Sequence, residues 1–136
     1  TLRYLDTDMR LVGQFKPGTA DRPIEEYHSD DRLLELADQA LNDLNIHHIV
    51  GIIATGNYFV DDPQKVEQVI RETGADAVEM EGAAVAHVAA RNDVPALVIR
   101  ALSDKADTDY EDFKTFDISE YADTAAKLTV NIAKRM

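Results

Sequence analysis

Asp104 stands directly behind the mostly apolar run Pro95 to Leu102 (PALVIRAL), within Ser103-Asp104-Lys105-Ala106-Asp107. A carboxyl at the end of a buried strand is partly desolvated, which raises its pKa and lets it stay protonated as a general acid. The same Ser103-Asp104 pair also reads as a helix cap or turn. A second candidate is Glu79-Met80-Glu81, followed by Gly82-Ala83-Ala84. Period-two alternation sends both carboxylates to one face if the segment stays extended. Because a helix starts at Gly82, Glu81 reads equally well as a first-turn acid that stabilises the helix dipole. Other groups carry less. His47-His48 has no acid or His at ligand spacing and reads as the start of a strand, and His87 lies six positions after Glu81, off any shared helical face. Asp104, Asp107, Asp109, Glu111 and Asp112 lack the glycine and spacing of a calcium loop. The glycines form neither G-x-G-x-x-G nor G-x-x-x-x-G-K-[ST], so no nucleotide cofactor is indicated.

The elements that must position these residues alternate. Leu2 to Tyr4 and Arg10 to Phe15 read as strands, followed by a loop with Pro17-Gly18 and Pro23. Ser29 reads as an N-cap, and Leu33, Leu34, Ala37, Leu41 and Leu44 recur at helical spacing over about four turns. His48 to Thr55 (HIVGIIAT) is apolar without alternation, as in a strand covered on both faces. Asp62-Pro63 opens a helix that Gly74 closes. Ala77 to Met80 is a short strand, Gly82 to Ala90 a helix of small residues, and Pro95 to Leu102 a second apolar strand. A last helix presents Tyr121, Ala125, Leu128 and Ile132. This order predicts an α/β fold with a mainly parallel or mixed sheet and flanking helices. Ligands of such sheets gather at the carboxyl ends of the strands, where 55–60, 79–82 and 103–107 would meet.

The chain has 136 residues, with 14 Lys and Arg against 26 Asp and Glu, a net charge of −12. Nucleic acid and anionic membrane surfaces are poor partners for that balance. There is no cysteine, which excludes disulfide scaffolds, thiolate metal sites and thiol nucleophiles. No apolar run approaches the roughly 20 residues of a membrane span.

Together, A-V-E-M-E-G-A-A-V-A-H-V-A (77–89) and V-P-A-L-V-I-R-A-L-S-D-K-A-D (94–107) closely resemble the 5′-methylthioadenosine/S-adenosylhomocysteine nucleosidases. The resemblance is strongest over roughly residues 49–107. E-M-E alone is shared with purine nucleoside phosphorylases, whereas E-M-E-G-A-A-x-A-H-V with R-A-x-S-D-x-A-D points to the nucleosidase branch. The resemblance implies a nucleoside phosphorylase-like fold. Residues 1–136 would form a single α/β domain, the C-terminal portion of a larger nucleosidase domain. It further implies hydrolysis of an adenine nucleoside's N-glycosidic bond with no metal or organic cofactor. Asp104 would protonate adenine N7, with Ser103 orienting it. Glu81 would bind the ribose 2′- and 3′-hydroxyls, Met80 would pack on the sugar and Glu79 would flank them. Phe59 would stack on adenine, the Val60 backbone would read its edge, and Phe116 (or Phe113) would close over a 5′-alkylthio group. A homodimer in the cytoplasm is implied as well, the loop from Tyr4 to Gly18 reaching a neighbour's pocket.

Two departures stand beside these implications. Thr55-Gly56-Asn57 replaces the family's usual S-G-D, removing a negative charge. The glutamate that activates water in the family lies in a part with no counterpart here, so the resemblance assigns that role to no residue of this chain. Two further readings are a purine nucleoside phosphorylase, with Arg100 as the candidate phosphate ligand, and an adenine-nucleoside-binding module without turnover.

Overall fold

The computed structural model describes residues 2–4, 26–57, 59–60, 62–102 and 118–136. Four strands form one sheet among these residues: β1 (Leu2–Tyr4), β2 (Glu26–Tyr27), β3 (Ile53–Thr55) and β4 (Ala77–Glu79), in the order β2-β1-β3-β4. β1 pairs parallel with β3 and β3 parallel with β4, while β2 pairs antiparallel at the β1 edge. The expected mixed, mainly parallel sheet is therefore present. The predicted strand from Arg10 to Phe15 lies outside the described residues.

The helices follow local chemistry closely. α1 (Asp31–Asp43) begins at Asp30, whose carboxylate accepts from Leu33 N at 3.0 Å. The cap is thus one residue later than the predicted Ser29. Asp30 is held extended because its own N–H bonds Ala96 O at 3.0 Å, and its carboxylate complements the helix dipole better than a hydroxyl does. α2 (Pro63–Thr73) has its cap at Asp62, Pro at the first helical position and Gly74 after its end. Gly74 adopts φ 65°, where a side chain would be strained, and donates its N–H to Ile70 O at 2.7 Å. α3 (Gly82–Arg91) and α4 (Ser119–Ala133) complete the set.

Two small apolar clusters hold these elements. In the first, Ala83 and Ala86 of α3 pack with Tyr27, Ile53 and Val98. In the second, Ala40 and Leu41 of α1 pack on Leu128 of α4, with Leu44, Ile46 and Ile132 around them. The second cluster corrects the predicted α4 face, because Leu128 and Ile132 are covered while Tyr121 and Ala125 are exposed. Only the later turns of α4 lie against α1.

The two long apolar strands are also shorter or absent. In 48–55 only Ile53–Thr55 pairs, and Ile49 and Val50 are exposed. Just before β3, Asp76 takes Ile52 N on its carboxylate at 2.9 Å and donates its own N–H to Ile52 O at 2.8 Å. The segment 95–102 joins no strand ladder among the described residues; Val98 packs on α3, while Ile99 and Leu102 are exposed. Apolar composition favours a strand but does not by itself supply the pairing that makes a ladder.

Candidate functional site

Register places the site. Thr55 pairs with Glu79 at the carboxyl ends of adjacent parallel strands, and Gly56 N donates to Glu79 O at 2.9 Å. α3 starts three residues later, so its first N–H groups return over the same strand ends. Gly82 and Ala83 are both buried there. A Cβ on Gly82 would come within 2.9 Å of Glu79 Oε1, so the small residues are what let the helix terminus approach.

Glu79 fills this junction. Its carboxylate accepts from Glu81 N at 3.0 Å and from Gly82 N at 2.9 and 2.7 Å. It also accepts from Thr55 Oγ1 and from Arg100 Nη2. Thr55, itself only 2% exposed, accepts in turn from Ala83 N at 2.9 Å. Burial pushes the Glu79 carboxyl upward, but the hydrogen bonds from Thr55, Arg100 and the two backbone N–H groups outweigh it and hold it below the ordinary glutamate value. Burial likewise opposes the charge on Arg100, while Glu79 and Glu81 together reinforce it and keep the guanidinium protonated.

The carboxylate that receives the first N–H groups of α3 is therefore that of Glu79, at the end of β4, and not that of Glu81. Glu81 is the N-cap residue, yet its side chain caps nothing. That side chain is 69% exposed against 9% for Glu79, and its Oε2 receives Arg100 Nη2 at 2.7 Å. Both glutamates do converge on one cation, as the alternation suggested, but one is spent on structure and the other faces solvent. Beside them Met80 is exposed, Phe59 half-buried and Val60 buried. Ser103, Asp104 and Phe116 lie outside the described residues. Thr55 was not singled out as a site residue from sequence; only the strand register reveals that it faces Glu79. Arg100 is the candidate phosphate ligand only under the phosphorylase alternative, and here its charge is matched by two carboxylates.

Away from this edge, His48 does have an acid partner: its Nε2 meets Asp38 Oδ1 at 2.8 Å and its Nδ1 meets Ile46 O at 2.9 Å. The sequence reading missed this because Asp38 lies ten residues earlier, on α1. His87 meets Tyr27 Oη at 2.5 Å through Nδ1, far from any metal arrangement. Among the described residues no three His, Asp or Glu side chains converge as metal ligands, and no helix is long and apolar enough to cross a membrane.

A mixed α/β sheet with acids gathered over the carboxyl ends of its parallel strands defines a ligand-binding protein of the open-sheet class. The chain belongs to the phosphorylase superfamily, whose sequence model matches residues 3–136. It is 40% identical over 108 residues to the aminodeoxyfutalosine nucleosidase of Campylobacter jejuni, covering 79% of this chain and 45% of that protein. It is 39% identical over 129 residues to the 5′-methylthioadenosine/S-adenosylhomocysteine nucleosidase of Tolumonas auensis, covering 93% of this chain and 54% of that protein. Among solved structures, S-adenosylhomocysteine nucleosidase from Streptococcus pyogenes in complex with 5-methylthiotubericidin superposes with a TM-score of 0.78 at 31% identity. That match covers 99% of this chain and 57% of the other. The chain thus spans about half the length of the curated relatives it matches.

Proposed function

We propose that this chain forms the base- and ribose-binding portion of an enzyme that hydrolyses the N-glycosidic bond of 5′-substituted adenine nucleosides, releasing adenine. The substrate class includes 5′-methylthioadenosine and S-adenosylhomocysteine. The observation that carries the reading is the division between the two glutamates. Glu79 is saturated with donors, while Glu81 is exposed at the carboxyl edge of the sheet, beside the Arg100 guanidinium. A carboxylate there suits a ribose diol, because it can accept from both hydroxyls. Met80 packs on the sugar, Phe59 stacks on adenine, and the Val60 backbone reads the base edge. Asp104 protonates N7 so that the base leaves neutral, with Ser103 orienting it and Phe116 closing over the 5′-substituent. Glu79 flanks the sugar at one remove, through the helix terminus it holds. The protein acts as a cytoplasmic homodimer, on one small-molecule ligand and without nucleic acid, membrane or cofactor.

Pairing of Arg100 with two carboxylates weighs against the phosphorylase alternative, which needs a free cation for phosphate. A second reading is an adenine-nucleoside-binding module without turnover. Calorimetry and adenine release, with and without phosphate, separate the three readings: free sugar marks a hydrolase, ribose 1-phosphate a phosphorylase, and binding alone a module. In a turning-over protein Asp104→Asn is expected to remove most adenine release with little loss of analogue affinity. Near-normal release from that variant overturns the general-acid assignment.

A further inference from the structure

We propose that Thr55 is a positioning residue for the Glu81 carboxylate, acting through Glu79 and Arg100. This rests on the reading of Glu81 as the hydroxyl-binding acid. The direction of each bond is fixed by its partners. Ala83 N–H can only donate, so Thr55 Oγ1 accepts it at 2.9 Å, and the hydroxyl proton is left to point at Glu79 Oε1. Thr55 is 2% exposed, so neither bond is shared with bulk water. Gly82 N bridges both carboxylate oxygens, at 2.9 Å to Oε1 and 2.7 Å to Oε2; Thr55 takes Oε1, while Oε2 accepts from Glu81 N at 3.0 Å and faces Arg100.

The same Nη2 of Arg100 then reaches Glu81 Oε2 at 2.7 Å. Among the described residues Glu81 Oε1 accepts no hydrogen bond, which leaves one oxygen of an oriented carboxylate open to a ligand. A long exposed glutamate would otherwise sample many rotamers and lose that entropy on binding. Thr55 sets the start of the relay by fixing which way the buried carboxylate faces. Serine preserves the relay because it keeps the hydroxyl; valine keeps the shape and breaks it.

The test compares Thr55→Val and Thr55→Ser with wild type in the same chain carrying 13C-labelled glutamate carboxyls. Two quantities are read: the Glu79 titration midpoint by NMR, and the affinity ratio between an adenine nucleoside and its 3′-deoxy counterpart. In wild type and Thr55→Ser the midpoint lies below the ordinary glutamate value. In Thr55→Val it rises, and the preference for the intact diol falls about tenfold, the size expected when a buried donor is removed. Leu128→Ala, a core change remote from the site, serves as a control and is expected to move neither. An unmoved midpoint in Thr55→Val, or an unchanged diol preference alongside a moved one, overturns the proposal. If wild type shows no diol preference, the nucleoside reading is what fails, and the relay stands or falls on the midpoint alone. Should Thr55→Val not fold, a wild-type Glu79 midpoint at or above the ordinary value overturns it.

Discussion

The two apolar clusters solve the same packing problem in opposite ways. Against the sheet, α3 presents Ala83 and Ala86, at 0% and 5% exposure, and little else. Between α1 and α4, Leu41 and Leu128 meet over Ala40, with Leu44 and Ile132 beside them. A buried leucine contributes about 1.5–3 kcal/mol through removal of apolar area, far more than an alanine can. What the alanines and Gly82 supply instead is proximity. They bring three backbone N–H groups of residues 81–83 onto Glu79 and Thr55. The site region is therefore cohesive through charge and hydrogen bonds, and the helical region through volume. Each should fail under a different insult.

Removing the buried charge is expected to do the most damage. Glu79→Ala leaves Thr55 Oγ1 and Gly82 N without their acceptor and Arg100 with Glu81 alone, costing about 3 kcal/mol of stability, discounted from the fully buried case because Arg100 is 36% exposed. Nucleoside affinity should fall with it, since the same carboxylate orients the site. Urea unfolding and calorimetry check both; stability within 0.5 kcal/mol (roughly the noise of a surface change) breaks the contrast. Leu128→Ala comes next, at about 2 kcal/mol, from lost burial and the cavity left against α1. Here affinity at temperatures where the variant is folded should be unchanged, and a parallel loss of binding would mean that the two regions are not separable.

The acid limb gives a smaller effect of known sign. Because Glu79 is held below its ordinary value near 4.5, its ionised form adds stability that is fully present above 4.5 and is lost as pH falls through the folded value. Glu79→Gln should flatten the decline in unfolding midpoint below pH 4.5. An equally steep acid limb in that variant assigns the decline to other carboxylates.

These differences also mark what the sequence could convey. Asp62-Pro63 and Gly74 announced both ends of α2, because cap, Pro and αL chemistry is local. The small residues of 82–90 announced close packing, although not what would be close. Glu79 and Glu81 look identical in sequence, since their separate fates depend on where α3 turns back over Thr55. Thr55 itself carried no signal without the register between two strands 24 residues apart in the chain. The run at 95–102 misled for a related reason: apolarity is a property of the segment, and pairing is a property of its neighbours.

The helical region should show the opposite pH sign. His48 has an acceptor at each ring nitrogen, Asp38 Oδ1 at Nε2 and Ile46 O at Nδ1. Both bonds can be made together only by the doubly protonated ring. The Asp38 hydrogen bond is the largest influence, followed by that from the Ile46 carbonyl, and His48 is raised above its ordinary 6.5. The stability this adds is fully present below pH 6.5 and is lost as pH rises through the folded value. Asp38 is 55% exposed and His48 20%, so the effect is the smallest of the series and is further screened by salt. Hydrogen exchange between pH 6 and 8, corrected for intrinsic rates, should show protection declining in the last turn of α1 and the following residues 44–48, with α3 unaffected. His48→Gln keeps a donor toward Asp38 without a titrating charge, so its protection should not change over that range. A decline of the same size in the glutamine variant, or one that appears equally in α3, would mean that the two regions do not titrate separately after all.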